Sequence, residues 1–360
     1  MIKKPFFSII IPTYNRASDL QFALYCILRQ DFLNFEIIVS DNCSTDNTKV
    51  IVESYKDKRI RYFRNKKNIG VILNLRKAIT YARGDYVFFH GDDDFLLYET
   101  SLQEISMMIK KYNPGYIRVN YICLTPDKKR IFDFRVNKSF VNNRYLSQHS
   151  ENEKVLSFIL GSDSAFITGI VYRNTLPENI TVINSELFAW IKILFFTTKN
   201  SGAYFIAKQH IIASWSTWST NKSQSNPLYS LIQGKLSSEN YLNFIKEQLD
   251  KKSYREFLNT QLMGIYVKMF PAIKLYIGNK NMLQLSARLR YLDREFENNI
   301  FFWAYLAFTL IIPRFLLKFI KDLFFYRYSK FSKINNYMKL NDILKILNQK
   351  YTHDKKVNYI

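Results

Sequence analysis

Three consecutive carboxylates, Asp92-Asp93-Asp94, follow directly on the apolar run Tyr86-Val87-Phe88-Phe89 and the pair His90-Gly91. Carboxylates this close repel one another and cost stability unless a cation neutralises them, so a divalent ion is their natural partner. Oxygen donors beside a single histidine favour a hard ion, Mn2+ or Mg2+, held by one or two carboxylates and completed by phosphate oxygens and water. The structural alternative is an acidic turn capping a helix that starts near Leu96. A second polar cluster, Pro12-Thr13-Tyr14-Asn15-Arg16, closes the run Phe6–Ile11, and Asp41 closes Phe35–Ser40. An aromatic ring, amides, a cation and a carboxylate are the parts of a nucleotide-binding surface.

Those clusters need a scaffold that brings them together. Phe6–Ile11 is short, β-branched and ended by Pro12, which suits a strand buried on both faces. Leu20–Leu28 carries apolar residues at helical spacing, and Phe35–Ser40 returns to strand character. The alternation continues through a helix at Asp46–Tyr55, a strand at Ile60–Phe63, a helix at Val71–Arg83 and a strand at Tyr86–Phe89. This pattern predicts an α/β fold with a mostly parallel central sheet covered by helices. In such sheets ligands bind beyond the carboxyl ends of the strands, which is where every polar cluster falls. From 116 to 226 the order is less regular, with strands expected at Tyr116–Cys123, Ala165–Tyr172 and Tyr204–Ile212 and a helix at Ser185–Thr197. The stretches 124–165 and 210–227 read as irregular loops. Residues 227–360 read as a helical C-terminal extension to a catalytic domain at 1–226, itself divided into halves at 1–115 and 116–226.

The 360 residues are 48% hydrophobic and 23% charged, which excludes disorder, and carry a net charge of +22 that favours anionic partners. Cys26, Cys43 and Cys123 are odd in number and form no CxxC, so neither a disulfide framework nor a zinc site is expected. The apolar run at 6–11 is too short and lacks the cleavage site of a secretory signal, which points to the cytoplasm.

In order and spacing, five blocks across roughly residues 6–100 resemble the family 2 glycosyltransferases of the GT-A fold: Ser8–Arg16, Gln30, Glu36–Asp46, Asn68-Ile-Gly70 with Asn74, and Gly84–Asp94. The resemblance implies that Pro12, Thr13, Tyr14, Asn15, Arg16, Asp41, Asn68, Gly70 and Asn74 line a nucleoside-diphosphate sugar. It implies too that Asp92 and Asp94 are the DxD pair on the metal, with Asp93 or Asp92 at the ribose. Asp46 reads as a helix cap. The family's general base lies downstream, in an acidic element opening a helix. Glu186 fits, 92 residues after Asp94, with Asp163 as rival and a plain N-terminal helix charge as the bland alternative. His210 could complete the metal shell or be structural. Trp215 and Trp218 could stack on a sugar, close a lid or pack in the core. The family's Gln-x-x-Arg-Trp polymerising element is absent, so transfer of one sugar with inversion is expected, to a glycan or lipid-linked acceptor. A non-catalytic basic protein of membranes or nucleic acid leaves the aspartates unexplained. A sugar nucleotidyltransferase would need a Gly-rich loop where Pro12–Asn15 stands.

Ile300–Ile312 is a run of 13 residues with only Thr309 polar, and Arg314, Lys318, Lys321 and Asp322 then share one helical face. Thirteen is short of the ~20 residues a span needs. The segment at about 300–328 therefore reads as an amphipathic element on an anionic membrane surface, the inner face of the cytoplasmic membrane. Packing on the catalytic domain, or in a homo-oligomer through the C-terminal helices, is the alternative. Nucleic acid is not expected as a partner.

Overall fold

The computed structural model describes residues 4–124, 131–132, 142–162, 164, 166–177, 179–183, 188–214, 238–262, 267 and 270–331. Asp163, Glu186, Trp215, Trp218 and the lysines beyond 331 lie outside them.

Strands β1 (Phe7–Thr13), β2 (Phe35–Asp41), β3 (Ile60–Arg64) and β4 (Tyr86–Phe89) alternate with helices α1 (Ala17–Leu28), α2 (Thr48–Ser54) and α3 (Val71–Ile79). After β4 come β5 (Phe95–Leu96), α4 (Ser101–Tyr112), β6 (Tyr116–Leu124), the short β7 (Ile131–Phe132) and β8 (Arg144–Leu146), α5 (Asn152–Gly161), β9 (Ile170–Arg173), α6 (Ile191–Ser201) and β10 (Ala203–Ser214). One sheet runs in the order β3-β2-β1-β4-β9-β6-β10-β5, with β7 on β6 and β8 on β10. Along that path only β9 and β5 run against the others. The mostly parallel α/β sheet read from the sequence is therefore present.

The central strands are buried on both faces because they are mostly apolar, as in the Ile9–Ile11 run of β1 and the whole of β4. Along β1, Ile9 and Ile11 face one core with Leu20 and Leu24 of α1 and Ile105 of α4, while Ile10 faces the other with Leu75 of α3. Register aligns the strand ends: Thr13 pairs with Asp41 and Asp41 with Arg64. His90 continues β4 beside β1 by donating its N–H to Ile10 O at 3.0 Å.

Several expected boundaries move. Phe95 and Leu96 do not open a helix. They pair antiparallel with Ile212 and Ile211, and the helix starts only at Ser101. Within the loop expected at 124–165, residues 152–161 form α5, whose Leu156, Phe158 and Ile159 enter the core. The strand expected at Ala165–Tyr172 begins at Ile170, after a turn at Thr168-Gly169 with Gly169 at φ 87°. The helix expected from Ser185 is seen from Ile191.

The C-terminal region is helical: α7 (Ser238–Gln248), α8 (Lys251–Phe257) running into a π-turn, α9 (Phe270–Leu292) kinked at Gly278, α10 (Ile300–Ile311) and α11 (Arg314–Phe331). Tyr241, Phe257, Phe270, Phe302 and Leu306 join the same hydrophobic cluster as Phe158 of α5 and Ile191 of α6. A cut before α10 would remove side chains from the main core.

Candidate active site

The loop after β1 reverses at Asn15, whose φ of 54° is left-handed, a conformation asparagine tolerates better than most residues. Its side chain fixes the turn, Oδ1 accepting the Thr45 N–H at 2.7 Å, while its own N–H donates to Ser44 Oγ at 2.9 Å. Asp46 accepts from Thr48 N–H at 3.1 Å and from Ala17 N–H at 2.9 Å, so one carboxylate caps the starts of two helices. Burial opposes its ionisation, but the Thr48 and Ala17 hydrogen bonds prevail and hold its pKa below the usual value. The helix-cap role expected for Asp46 is what it performs.

Asp41 is buried at the end of β2 with both oxygens engaged. Oδ1 accepts the Ser44 N–H at 2.7 Å, and Oδ2 accepts the Tyr62 hydroxyl at 2.5 Å with the Arg64 guanidinium at 3.6 Å. Tyr62 and Arg64 are two apart on β3, hence on one face of that strand. Asn42 donates to Asn68 Oδ1 at 2.8 Å and accepts from Ile69 N–H at 2.9 Å. Asn74 is buried in the first turn of α3, donating to Ser40 O and accepting from Asn65, both at 2.8 Å, while Gly70 stands at its N-cap with φ 83°. Asn74 thus braces the loop from below, whereas Tyr14 is open to solvent.

Arg16 reaches across from β1 to the turn after β4. Its guanidinium lies 3.1 Å from Asp92 and 2.7 Å from Asp93. This internal cation answers part of the repulsion within the acidic triplet. Burial pushes the Asp92 carboxyl up to about 7, with Arg16 pulling it down and Asp93 pushing it up. With three carboxylates in the turn against this one guanidinium, the turn is short of positive charge. His90 does not supply it: burial pushes its imidazole down to about 4, and Nδ1 engages Gly91 O at 2.7 Å. Asp94 is held from the other half of the sheet, since the Thr168 hydroxyl donates to its Oδ2 and accepts the Gly91 N–H at 2.8 Å. A Cβ on Gly91 would stand 2.5 Å from Asp94 Oδ2 and 3.0 Å from Thr168 Oγ1, so a larger residue there would push that contact aside.

A divalent ion fits this charge pattern. Among the described residues no three His, Cys, Asp or Glu side chains converge to hold an ion alone. That suits Mg2+ or Mn2+, which take one or two carboxylates and otherwise water and substrate phosphates. His210 is not brought to the aspartates. Opposite Leu97 on β5's extension, its Nδ1 lies 3.3 Å from Ser101 Oγ and its Nε2 3.7 Å from Glu104 of α4. Burial holds it near 4 despite Glu104, so it is neutral, and its contacts are to α4.

The structure thus gathers Thr13, Asn15, Arg16, Asp41, Asn68, Gly70, Asp92, Asp93 and Asp94 along one edge. The sequence reading missed Tyr62, Arg64 and Thr168. The first two carried a signal, polar groups two apart at the end of a strand; Thr168 carried none.

Residues 8–165 match the model of Glycosyl transferase family 2. A Campylobacter jejuni protein, GalNAc(5)-diNAcBac-PP-undecaprenol beta-1,3-glucosyltransferase, is 31% identical over 57% of this chain and 63% of its own length. Escherichia coli WfgD, a UDP-Glc:alpha-D-GlcNAc-diphosphoundecaprenol beta-1,3-glucosyltransferase, is 32% identical over 32% of this chain and 45% of its own. The matches thus span under two thirds of these relatives. The crystal structure of S. aureus TarS 1-349 with UDP-GlcNAc superposes with a TM-score of 0.60 at 17% identity, covering 88% of this chain and 91% of that one, which speaks to fold. With strand ends, acidic turn and these likenesses in agreement, residues 8–165 carry a family 2 glycosyltransferase domain, set on a GT-A scaffold.

Proposed function

We propose that this protein is an inverting, divalent-metal-dependent glycosyltransferase that moves one sugar from a nucleoside-diphosphate sugar to a glycan or lipid-linked acceptor in cell-surface polysaccharide synthesis. The observation that carries the reading is the turn Asp92–Asp94, short of positive charge and locked to Arg16 and Thr168 at the end of the parallel strands. The names of the two relatives, each with an undecaprenol-linked acceptor, favour a lipid-linked acceptor here and with it a place on the inner face of the cytoplasmic membrane.

Asp41 with Tyr62 would read the base, and Thr13, Tyr14, Asn15, Asn68 and Gly70 would line the nucleoside. Asp92 and Asp94 would hold Mn2+ or Mg2+ against the diphosphate, and the bound ion would neutralise charge on that leaving group. Arg16, paired with Asp92 and Asp93, would add positive charge beside the phosphates. A carboxylate, Glu186 with Asp163 as rival, takes the proton of the acceptor hydroxyl as its oxygen bonds to the anomeric carbon. The bond from that carbon to the diphosphate oxygen breaks on the opposite face, and the configuration inverts. The donor half at 1–115, acceptor half at 116–226 and helical region at 227–360 would divide these tasks.

The test is a panel of nucleotide sugars assayed with Mn2+ for thermal stabilisation and for slow release of nucleoside diphosphate. One donor should stabilise the protein and be hydrolysed only with the metal present. Release without metal dependence, or consumption of a nucleoside triphosphate instead, would overturn the reading.

A further inference from the structure

Helix α10 has two unlike faces. Phe302, Leu306 and Thr309 are buried in the main core. At about 100° per residue, the opposite side carries Ile300, Phe301, Trp303, Phe308 and Ile311, with Ile300 and Ile311 at 76% and 79% exposure. Only Ala304 and Ala307 share that side, so it holds no charged side chain. Pro313 then ends the helix: it offers no N–H, and the residue before it, Ile312, is extended. Helix α11 leaves at 107° to α10. Between 314 and 323 only Leu317 of α11 is buried, and Phe315, Phe319 and Leu323 project on the side away from Arg314, Lys318 and Lys321. No single described helix is long and apolar enough to cross a membrane, though the bent pair together has the composition of one.

The corner between them is finished from inside the protein. A helix end leaves carbonyls without N–H partners, which water satisfies on a wet surface and nothing satisfies in hydrocarbon. Here buried Lys274 of α9 donates to Thr309 O at 2.7 Å, Leu310 O at 3.1 Å and Ile312 O at 2.5 Å. Arg314 adds a bond to Leu275 O at 2.5 Å, tying α11 back to the same helix.

We infer that the bent pair α10–α11 is a bilayer-docking elbow, its apolar outer side seated in the acyl boundary of an anionic membrane and its angle held by Lys274. The inference deepens the reading of a membrane-borne acceptor and rests on it for the choice of membrane. An outer face of α10 whose own side chains are all uncharged, with the indole of Trp303 at its edge donating to Glu297 O and lying under Arg290, fits a lipid interface better than water. Charge favours anionic headgroups: the flank of α11 is basic, and residues 314–356 hold eleven basic against three acidic residues. The same excess opposes a second copy of this chain as the occupant, since two such surfaces repel. The elbow also differs from a span, because Lys274 reaches the break only while the pair stays bent.

The test uses the full chain with vesicles of neutral or anionic phospholipid at low and high salt, and donor hydrolysis as a separate readout. Binding should require anionic lipid, weaken with salt and quench Trp303 when the acyl chains are brominated, a signal that Trp303→Phe removes. Joint replacement Phe301→Ser, Phe315→Ser and Phe319→Ser should weaken binding by about a hundredfold or more while hydrolysis stays intact. Lys274→Met should weaken it by about tenfold, with Lys274→Arg restoring it. Wild-type protein that ignores anionic vesicles, or a triple variant that binds as wild type, would overturn the inference. So would a wild-type dimer that the triple change splits, since the face would then belong to a subunit contact. Vesicle binding without any donor hydrolysis would count against the proposed reaction and leave the elbow standing.

Discussion

At the strand ends each acidic side chain is already engaged: Asp41 by Ser44 and Tyr62, Asp92 and Asp93 by Arg16, Asp94 by Thr168. On the outer side of α10 the reverse holds: Ile300, Phe301, Phe308 and Ile311 face outward, and Trp303 lies under the Arg290 guanidinium. The polar edge is preorganised from within, through partners up to 77 residues distant such as Gly91 and Thr168. The elbow is organised only on its inner side. A site that must hold charge in a fixed geometry needs its partners built in, whereas a surface that seats on a fluid phase needs only a rigid back.

The largest expected effect falls on the polar edge. Asp94→Ala should lower metal-dependent turnover by about a thousandfold or more, the scale of a lost transition-state charge contact. The fold should survive, because removing one of three repelling carboxylates relieves a cost, and circular dichroism with a thermal melt checks this. Turnover that persists in Asp94→Ala would break the comparison at its stronger end.

Next comes the contrast within α10 itself. Phe302→Ala on the inner side should cost about 3–5 kcal/mol in urea unfolding, as for other buried phenylalanines. Phe301→Ser, one residue away on the outer side, should stay within about 0.5 kcal/mol. Equal costs would mean that the two faces are not distinct.

The base is a smaller step. Glu186→Gln should keep donor binding, measured by calorimetry, and slow transfer by about a hundredfold. If Asp163→Asn proves the damaging change and Glu186→Gln is silent, the roles are exchanged.

What the sequence made legible follows the same division between local and distant. Thr13–Arg16, Asp41 and Asp92–Asp94 stood out because each follows its own apolar strand, and parallel strands bring such ends together without further information. The apolar and charged faces of 300–323 were readable for the same reason, since helical spacing is local. Thr168 was invisible because its partner Asp94 lies 74 residues earlier. The start of α4 was misread because Phe95 and Leu96 are claimed by β10, more than a hundred residues away. His210 stayed open between a metal role and a structural one: β10 slips against β6 between Ile206 and Gln209 and again between Gln209 and Ile211, so strand alternation alone does not tell which face it takes. Asn74, implied as a nucleotide contact by the resemblance, lies beneath the loop because its amide is taken by Ser40 and Asn65, 34 and 9 residues away.

His210 yields the smallest expected effect and one that separates packing from catalysis. It is almost fully buried, with Ser101 and Glu104 of α4 on one side and Lys208 of its own strand nearby; burial lowers its pKa to about 4, Glu104 acting against that shift and Lys208 with it. The unfolded chain titrates near 6.5, so between about 6.5 and 4 the unfolded state binds the proton that the folded state refuses. The stability His210 contributes is therefore complete above pH 6.5 and is lost as the pH falls through that window. His210→Gln removes this loss, so its melting temperature should drop less than that of the wild type between pH 7 and pH 5, a difference worth about 1–2 kcal/mol at pH 5. Part of the slope should remain in the variant, because His90 is buried in the same neutral state and titrates in the same direction. Metal-dependent turnover at pH 7.5 should be unchanged by the substitution. A His210→Gln protein with wild-type stability at every pH but a weakened response to Mn2+ would return this residue to the metal and redraw the polar edge.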